Sequence, residues 1–188
     1  MPYLENKQIK LRAIEPEDLD VLYRWENDAD LWKFGATITP YSKFALKEYI
    51  AESRFDIFQS KQLRLMIVWK ENNESVGTID LYDFDPMNQR AGVGILIDSA
   101  YRGTGIGKQT LKLIQDYAFE VLLVKQLFAH IPKQNKISLK LFSNSGYTNT
   151  ACLKNWIKTN GGFEDIYVMQ LINEKGLTAH LTTDTDCL

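Results

Sequence analysis

The residues best suited to chemistry lie in a glycine-rich loop, Arg102-Gly103-Thr104-Gly105-Ile106-Gly107-Lys108, near the middle of this 188-residue chain. Its glycines let backbone N–H groups approach a phosphate, and the dipole of the helix predicted after it favours negative charge. The loop is not of the Walker A type, because Arg102 replaces the first glycine of that motif and Gln109 replaces its Ser or Thr. It is not G-x-G-x-x-G either, since the third glycine comes one residue early. The loop predicts an anion site, with a simple tight turn as the open alternative.

Basic residues concentrate around this loop. Residues 101–140 carry a net charge of +5, whereas residues 1–100 carry −5 and the whole chain −2. A basic middle in a mildly acidic chain favours a compact anionic ligand and argues against a nucleic-acid partner. Solvated lysines on a pair of helices are the alternative.

Two segments of the chain resemble motifs of the GNAT acetyltransferase superfamily, and they occur in the same order as in that family. The glycine-rich loop contains the R-x-x-G-x-G of that family. The segment Asn135-Lys136-Ile137-Ser138-Leu139-Lys140-Leu141-Phe142, followed by Gly146-Tyr147, resembles its N-x-x-S-x-x-L-[YF]-x-x-x-G-[FY]. Trp25-Glu26-Asn27-Asp28 resembles the branch with ribosomal-protein and spermidine N-acetyltransferases. Order and spacing agree from about residue 8 to residue 172.

This resemblance implies that acetyl-CoA is the co-substrate. Its pantetheine arm would pair with one strand as an added strand, its pyrophosphate would bind the loop, and its thioester sulfur would lie near Phe142. For Asn135 a helix N-cap is the open alternative, and for Ser138 an ordinary helix position. Lysines 108, 112, 136 and 140 are candidates for the 3′-phosphate of the nucleotide. The residues assigned to the cofactor are Ile95, Leu96, Ile97, Arg102, Gly103, Thr104, Gly105, Ile106, Gly107, Lys108, Asn135, Ser138, Lys140 and Phe142.

The implied reaction needs a neutral amine. A lysine-like amine has a pKa of about 10.4, so its deprotonation at pH 7 costs about 4.6 kcal/mol, whereas an N-terminal amine near pKa 7.8 costs about 1 kcal/mol. The enzyme should therefore supply a base and an oxyanion donor. The strand backbone near Ile95, where we expect it to splay from its neighbour, is one source of the donor.

The sequence departs from the family pattern at two positions. Gly92 stands where many relatives carry a glutamate base, and Phe142 where many carry a tyrosine acid. Asp80 is the preferred replacement base; Asp83 lies on the opposite strand face, and a structural carboxylate is the open alternative. Tyr147 is a candidate acid, with core packing as the alternative. A thiolate with a pKa near 8.5 leaves readily enough that a missing acid costs less than a missing base.

The acceptor side is the least defined part of the prediction. Trp25, Glu26, Trp32 and Phe34 would form an aromatic and acidic wall suited to an amine cation, unless they pack on the sheet. We predict an N-acetyltransferase that acts by direct attack of a primary amine, carried by a small polycationic molecule or a protein N-terminus. A different acyl group such as succinyl, or a CoA-binding GNAT-like module with lost or altered catalysis, is the alternative.

The elements that position these residues form one α/β domain, a mostly antiparallel mixed sheet of about seven strands flanked by about four helices. One helix is predicted after Thr39-Pro40, with Leu46, Ile50 and Ile57 on one face. Strands are predicted at 8–13, 63–69, 76–84, 90–97, 126–131, 151–158 and 163–172, with further helices from Pro16, over 104–122 and over 135–144. We assign residues 1–173 to the domain and 174–188 to a polar tail.

Composition sets the remaining limits. Hydrophobic residues make up 45% and charged residues 24%, as in globular proteins. No apolar run reaches the roughly 18 residues of a membrane span, and the N-terminus has no signal-peptide pattern. Two cysteines and two histidines have no metal-site spacing. We therefore expect a cytoplasmic, metal-free protein with no membrane or nucleic-acid partner, and a homodimer through the last two strands is a further expectation.

Overall fold

A computed structural model describes residues 3–28, 39–53, 56–159 and 161–174. Its seven strands form one sheet in the order β1-β2-β3-β4-β5-β7-β6. The strands are β1 (Ile9–Ala13), β2 (Leu63–Trp69), β3 (Glu74–Asp85), β4 (Arg90–Ile97), β5 (Gln126–Pro132), β6 (Thr148–Thr159) and β7 (Gly162–Ile172). The α-helices are α1 (Leu19–Glu26), α2 (Lys43–Glu52), α3 (Ile57–Ser60), α4 (Ile106–Glu120) and α5 (Lys136–Ser143), and two 3-10 turns cover Pro16–Asp18 and Ser99–Tyr101.

The predicted architecture is confirmed. Every neighbouring strand pair is antiparallel except β4 and β5, which run parallel and are joined through α4. A parallel pair requires such a crossover, which the helical pattern after the glycine-rich loop supplies. The sequence-derived limits of β4 agree with the structure at both ends.

One prediction about the helices was wrong. The apolar spacing put Ile57 on the same helix as Leu46 and Ile50, but α2 ends at Glu52 and Ile57 begins α3. The side chain of Asp56 accepts hydrogen bonds from the backbone N–H groups of Phe58 and Gln59, which makes it the N-cap of a new helix. The described residues therefore contain five α-helices rather than about four.

The two faces of the sheet are covered differently. On one face, α4 buries Leu111, Ile114 and Ala118 in the main apolar core. On the other, α1 packs Leu22 and Trp25 into a second core around β2. The α1 face also carries three residues of β3 that alternate along the strand, Thr78, Asp80 and Tyr82. Residues that face α1 are thus separated from the main core by the sheet.

The parallel pair β4–β5 is short. It comprises only three residue pairs and ends at Gly92 and Phe128, although β4 continues to Ile97 and β5 to Pro132. The two strands therefore separate after Gly92, and the backbone of β4 near Ile95 is paired on its β3 side. The expected splay of this strand from its neighbour is confirmed.

Candidate active site

Two glycines shape the loop that leads into α4. Gly103 and Gly105 have φ angles of +80° and +86°, a conformation in which a side chain is strained, and Gly105 is the N-cap of α4. Gly107 has a different role, because a Cβ there would lie 3.1 Å from Cδ2 of Leu141. It lets α5 pack closely against α4, a packing role that the spacing of the glycines did not indicate.

Hydrogen bonds fix the chain on both sides of these glycines. The Nε of Arg102 donates to the carbonyl of Ile97 at 3.0 Å, and the Thr104 hydroxyl donates to the carbonyl of Tyr101 at 2.7 Å. The first backbone N–H of α4 with an intrahelical acceptor is that of Gln109, which reaches Gly105. The N–H groups that precede it are the ones that a helix start offers to an anion.

The basic residues around the loop lie at the surface. Lys108, Lys112, Lys136 and Lys140 are exposed. Lys112 forms a salt bridge with Asp116 one turn further along α4, so a phosphate at Lys112 would compete with that carboxylate. Lys108 lies in the first turn of α4 and Lys136 begins α5, where the helix N-termini add partial positive charge, whereas Lys140 lies in the last turn of α5.

The second motif forms the start and the buried face of α5. The side chain of Asn135 accepts a hydrogen bond of 3.1 Å from the N–H of Ser138, so the N-cap role is observed. Phe142 is 3% exposed and packs edge-on against Tyr147, with ring centroids 4.9 Å apart. Tyr147 itself lies in the main core, and burial raises the pKa of its hydroxyl. Core packing is thus the observed role of Tyr147.

Asp80 belongs to a cluster of charged side chains on the α1 face, Glu26, Arg64 and Asp80, named here the acidic cluster. The Nε of Arg64 donates to Oδ1 of Asp80 at 2.6 Å and its Nη2 donates to Oδ2 at 3.2 Å. The Nη1 of Arg64 donates to Oε1 of Glu26 at 2.6 Å. The ring of Tyr49 lies 5.4 Å from the guanidinium. One arginine thus joins a carboxylate from α1 to a carboxylate from β3.

The acidic cluster is largely withdrawn from water and carries a net charge of −1. Its three side chains are between 16% and 19% exposed. Burial alone would lower the pKa of Arg64, but Asp80 and Glu26 outweigh that effect and raise it. The arginine therefore stays charged at any working pH and links a carboxylate of α1 to a carboxylate of β3. The charges of these three side chains sum to a negative value, and a negative potential favours the binding of a cation.

Asp80 faces the part of β4 that has separated from β5. It is paired across the sheet with Gly94, and a Cβ at Gly94 would lie 3.8 Å from Oδ2 of Asp80. Glycine at this position leaves the carboxylate accessible from the strand edge. Asp83, by contrast, is exposed and lies in a bulge with a φ of +49°.

Tyr82 is the residue of this region that the sequence did not single out. Its ring covers Gly92, where a Cβ would lie 2.3–2.7 Å from three ring atoms. The ring contacts Phe128 edge-on at 5.7 Å between centroids. Burial raises the pKa of Tyr82 to about 12, and the nearby backbone of His130 offsets part of this rise. The position of the Tyr82 ring therefore requires glycine at residue 92, where many relatives carry a glutamate. This relation between Tyr82 and Gly92 is visible only once the strand register is known.

Trp25 connects α1 with the loop. It is 4% exposed, so it packs on the sheet, which was the alternative to a role in the acceptor wall. Its indole Nε1 donates to Oδ2 of Asp98 at 2.8 Å, and Arg24 donates to the same oxygen at 2.9 Å. Trp32 and Phe34 lie outside the described residues.

The described residues contain neither a metal-binding group of side chains nor a membrane-spanning helix. No group of three or more His, Cys, Asp or Glu side chains within the described ranges is arranged to hold a metal ion. In that same part of the chain, no helix is long and apolar enough to cross a membrane. His180 and Cys187 lie outside the described residues.

A parallel strand pair that opens beside a glycine-rich helix start is the arrangement that the resemblance to acyl-CoA-dependent transferases implied. The sequence model of the family "Acetyltransferase (GNAT) domain" matches residues 8–148, and the chain belongs to that family. It is accordingly an N-acetyltransferase with acetyl-CoA as co-substrate and an amine as acceptor. The resemblance inferred from the loop and from the segment 135–147 is confirmed.

Comparisons with known proteins agree with this assignment. The chain is 26% identical over 176 residues to the uncharacterized N-acetyltransferase p20 of Bacillus licheniformis, covering 93% of this chain and 98% of that protein. It is 24% identical over 174 residues to the spermidine N(1)-acetyltransferase of Escherichia coli K12, covering 93% and 91%.

Two solved structures share the fold. The spermidine N-acetyltransferase from Vibrio cholerae, in complex with CoA and spermine, superposes with a TM-score of 0.81 at 22% identity, covering 92% of this chain and 100% of that chain. The ribosomal-protein-S5-alanine acetyltransferase from Vibrio fischeri gives 0.79 at 19% identity, covering 91% and 96%. Both types of enzyme that the sequence resembled are thus among its structural neighbours.

Proposed function

We propose that this enzyme acetylates a primary amine of a small polycationic molecule by direct attack on the thioester of acetyl-CoA, with a protein N-terminus as the second candidate acceptor. The observation that carries the proposal is the acidic cluster, in which the largely buried carboxylates of Glu26 and Asp80 share one arginine and Asp80 lies next to the opened edge of β4. A polyamine carries more than one amine, so one protonated amine can contact the acidic cluster while the reacting amine is neutral. Spermidine acetyltransferases among the relatives add support.

Asp80 is our proposal for the base. Its Oδ2 is the oxygen with the longer hydrogen bond to Arg64, 3.2 Å against 2.6 Å for Oδ1, and it is the oxygen nearest to Gly94. That oxygen can therefore accept a proton from an amine or from a bridging water.

The cofactor residues are proposed as follows. The backbone of Ile95, Leu96 and Ile97 would pair with the pantetheine arm, since these residues follow the point where β5 diverges. The chain from Arg102 to Lys108 would bind the pyrophosphate. Asn135, Ser138, Lys140 and Phe142 would contact the remainder of the arm and the nucleotide phosphate.

One observation favours the second candidate function, a CoA-binding module with lost or altered catalysis. The family glutamate is replaced by Gly92 and the family tyrosine by Phe142, and Tyr82 leaves no room for a side chain at Gly92. Acetyl-CoA binding without transfer to any amine would establish that function.

The test compares Asp80→Asn with Asp83→Asn and the wild type. Thiol release from acetyl-CoA would be followed with polyamines, aminoglycosides and peptides with basic tails. We expect Asp80→Asn to lower kcat/KM for the preferred amine by at least about tenfold, with unchanged acetyl-CoA affinity. Asp83→Asn is the matched control, because Asp83 is exposed in the bulge and asparagine tolerates its positive φ.

The outcomes separate the alternatives. Equal activity of the two variants and the wild type would remove Asp80 as the base but keep the enzyme. Calorimetric binding of acetyl-CoA by the wild type, without turnover on any amine, would contradict acetyl transfer. Thermal melting of each variant shows whether loss of the Asp80–Arg64 contact has unfolded it.

Three further assignments are also proposals. We place the catalytic domain at residues 1–173 and a polar tail at 174–188, of which 175–188 lie outside the described residues. We propose a cytoplasmic location. We propose a homodimer through the outer hairpin, which exposes Trp156 and Phe163, and light scattering of the full chain tests it.

A further inference from the structure

We infer that the hydroxyl of Tyr82 donates a hydrogen bond to the carbonyl oxygen of the bound thioester, at the point where β4 and β5 separate. This inference rests on the proposed acetyl transfer and adds a catalytic residue to it. It concerns a position where the chain lacks the side chains that relatives carry, at Gly92 and at Phe142.

Strand register places Tyr82 at the opening. Tyr82 is paired with Gly92 across β3 and β4, and Gly92 with Phe128 in the last pair between β4 and β5. The ring lies flat across Gly92, with Cζ 2.4 Å from where a Cβ would stand. Since Cζ bears the hydroxyl, the ring extends from β3 over β4 towards β5.

The hydroxyl reaches β5 just beyond the last parallel pair. The ring ends near the backbone of His130, two residues after Phe128, and that backbone partly offsets the rise in the pKa of Tyr82. That backbone group has lost β4 as a neighbour, because the strands have separated. The hydroxyl therefore lies in the gap between the strands, on the same face as Asp80.

Packing holds the ring in this position. Phe128 contacts Tyr82 edge-on at 5.7 Å, and His130 continues the row at 5.3 Å from Phe128. Burial raises the pKa of Tyr82 to about 12, so the hydroxyl keeps its proton at neutral pH and acts as a donor. A preorganised donor of this kind stabilises charge as it develops in the transition state.

The reaction balances with Tyr82 remaining protonated. The amine nitrogen forms a bond to the carbonyl carbon, and the carbonyl oxygen takes up the negative charge. The charge returns to re-form the carbonyl as the carbon–sulfur bond breaks. The proton lost by the amine, passed through Asp80 or water, ends on the departing sulfur. Tyr82 contributes only the hydrogen bond to the oxygen, which strengthens while that oxygen is charged.

Tyr82→Phe is the direct test, because it removes the hydroxyl and keeps the ring over Gly92 and against Phe128. Tyr117→Phe is the matched control, since Tyr117 is a half-buried phenol on α4 whose pKa is also raised by burial. Steady-state kinetics would give kcat and KM for acetyl-CoA, and calorimetry its Kd. We expect Tyr82→Phe to lower kcat about 10- to 100-fold with KM and Kd within about twofold, and Tyr117→Phe to match the wild type.

A second measurement does not need turnover. Infrared difference spectra of bound acetyl-CoA, labelled with ¹³C at the thioester carbonyl, report the hydrogen bonds to that oxygen. We expect the carbonyl band of the wild type to lie at lower frequency than that of Tyr82→Phe. Identical bands, or an unchanged kcat in an active enzyme, would overturn the inference.

The two readouts distinguish the inference from the proposed function. A wild type that shows the band shift but acetylates no amine would uphold the role of Tyr82 and contradict the transfer reaction. A wild type that is active, with Tyr82→Phe equal to it in both readouts, would uphold the transfer and remove Tyr82.

Discussion

At the scale of single residues, Arg64 determines what the acidic cluster can do. It links the carboxylates of Glu26 and Asp80 in a place where the side chains are less than one-fifth exposed. Screening by salt is weaker there than on the surface. The burial of these carboxylates, rather than their number, is the basis of the proposed cationic acceptor.

Glu26→Gln tests this charge. The substitution keeps a side-chain oxygen for Arg64 and changes the net charge of the acidic cluster from −1 to 0. We expect KM for a polyamine to rise about 5- to 10-fold with little change in kcat, because a charge interaction of about 1 kcal/mol is lost. Steady-state kinetics at two ionic strengths measure this change.

Glu17→Gln serves as the control for Glu26→Gln. Glu17 is exposed on the first 3-10 turn, so its substitution removes the same unit of charge away from the acidic cluster. An equal rise of KM in both variants would mean that the overall charge of the chain, and not the acidic cluster, attracts the acceptor.

At the scale of elements, a second ion pair, between Arg12 and the buried Asp18, connects β1 with the turn that precedes α1. Arg12 donates to both oxygens of Asp18 at 2.6 and 2.7 Å, and the N–H of Glu15 donates to Asp18 at 2.9 Å. Burial by itself would raise the pKa of Asp18, but these hydrogen bonds outweigh it and lower the pKa below its ordinary value. Asp18 is 4% exposed.

The sign of the pH dependence follows from this lowered pKa. The contribution of Asp18 to stability is complete above the pKa that it has in the unfolded chain and is lost as pH falls through its pKa in the folded state. We expect Asp18→Asn to lower the free energy of unfolding by about 2–3 kcal/mol at pH 7, because Arg12 loses its partner. The difference from wild type should shrink below about pH 4.

Urea titrations at pH 7 and in acid measure both effects. Asp20→Asn is the control, because Asp20 is exposed and its partner Lys43 is half exposed. A difference between Asp18→Asn and wild type that stays constant down to acid pH would contradict the assigned role of the ionised carboxylate.

The elements also show how far the sequence alone reaches. The limits of β4 were predicted at both ends, because an apolar run between polar turns defines a strand without reference to its neighbours. The break between α2 and α3 was missed, since apolar spacing continued across it while the local cap of Asp56 began a new helix. Local hydrogen bonding outweighed periodicity there.

Contacts between elements could not be predicted from the sequence. The close approach of Gly107 to Leu141 depends on how α4 and α5 cross. The exclusion of any side chain at Gly92 depends on the register that brings Tyr82 over it. The glycine-rich loop could be recognised because its residues are consecutive, whereas Arg64, which binds Asp80, is separated from Asp80 by sixteen positions.

At the scale of the whole molecule, acidic and basic residues are concentrated in different parts of the chain. The first hundred residues carry −5 and contain the acidic cluster, whereas residues 101–140 carry +5 and contain the glycine-rich loop. A polyanionic cofactor and a polycationic acceptor would thus each meet the part of the chain with the opposite sign. Such fields affect association rates and their dependence on salt.

Comparison of CoA with 3′-dephospho-CoA tests the basic part of this division. CoA should bind more tightly than dephospho-CoA at low salt, by about 3- to 10-fold, and the gap should narrow as salt screens the exposed lysines. Calorimetry at two ionic strengths measures this difference in affinity. Lys140→Ala is the test variant, and Lys158→Ala, on strand β6, is its control. Equal affinities at low salt would show that the 3′-phosphate does not contact these lysines.

The central claim is that this chain moves an acetyl group from acetyl-CoA to a cationic primary amine. The most direct measurement is a single reaction that contains limiting acetyl-CoA, a polyamine and a peptide with a free N-terminus, with the products identified by mass spectrometry. The account predicts acetylated polyamine in amounts that match the thiol released. Consumption of acetyl-CoA without an acetylated amine, or none consumed although the cofactor binds, would contradict it.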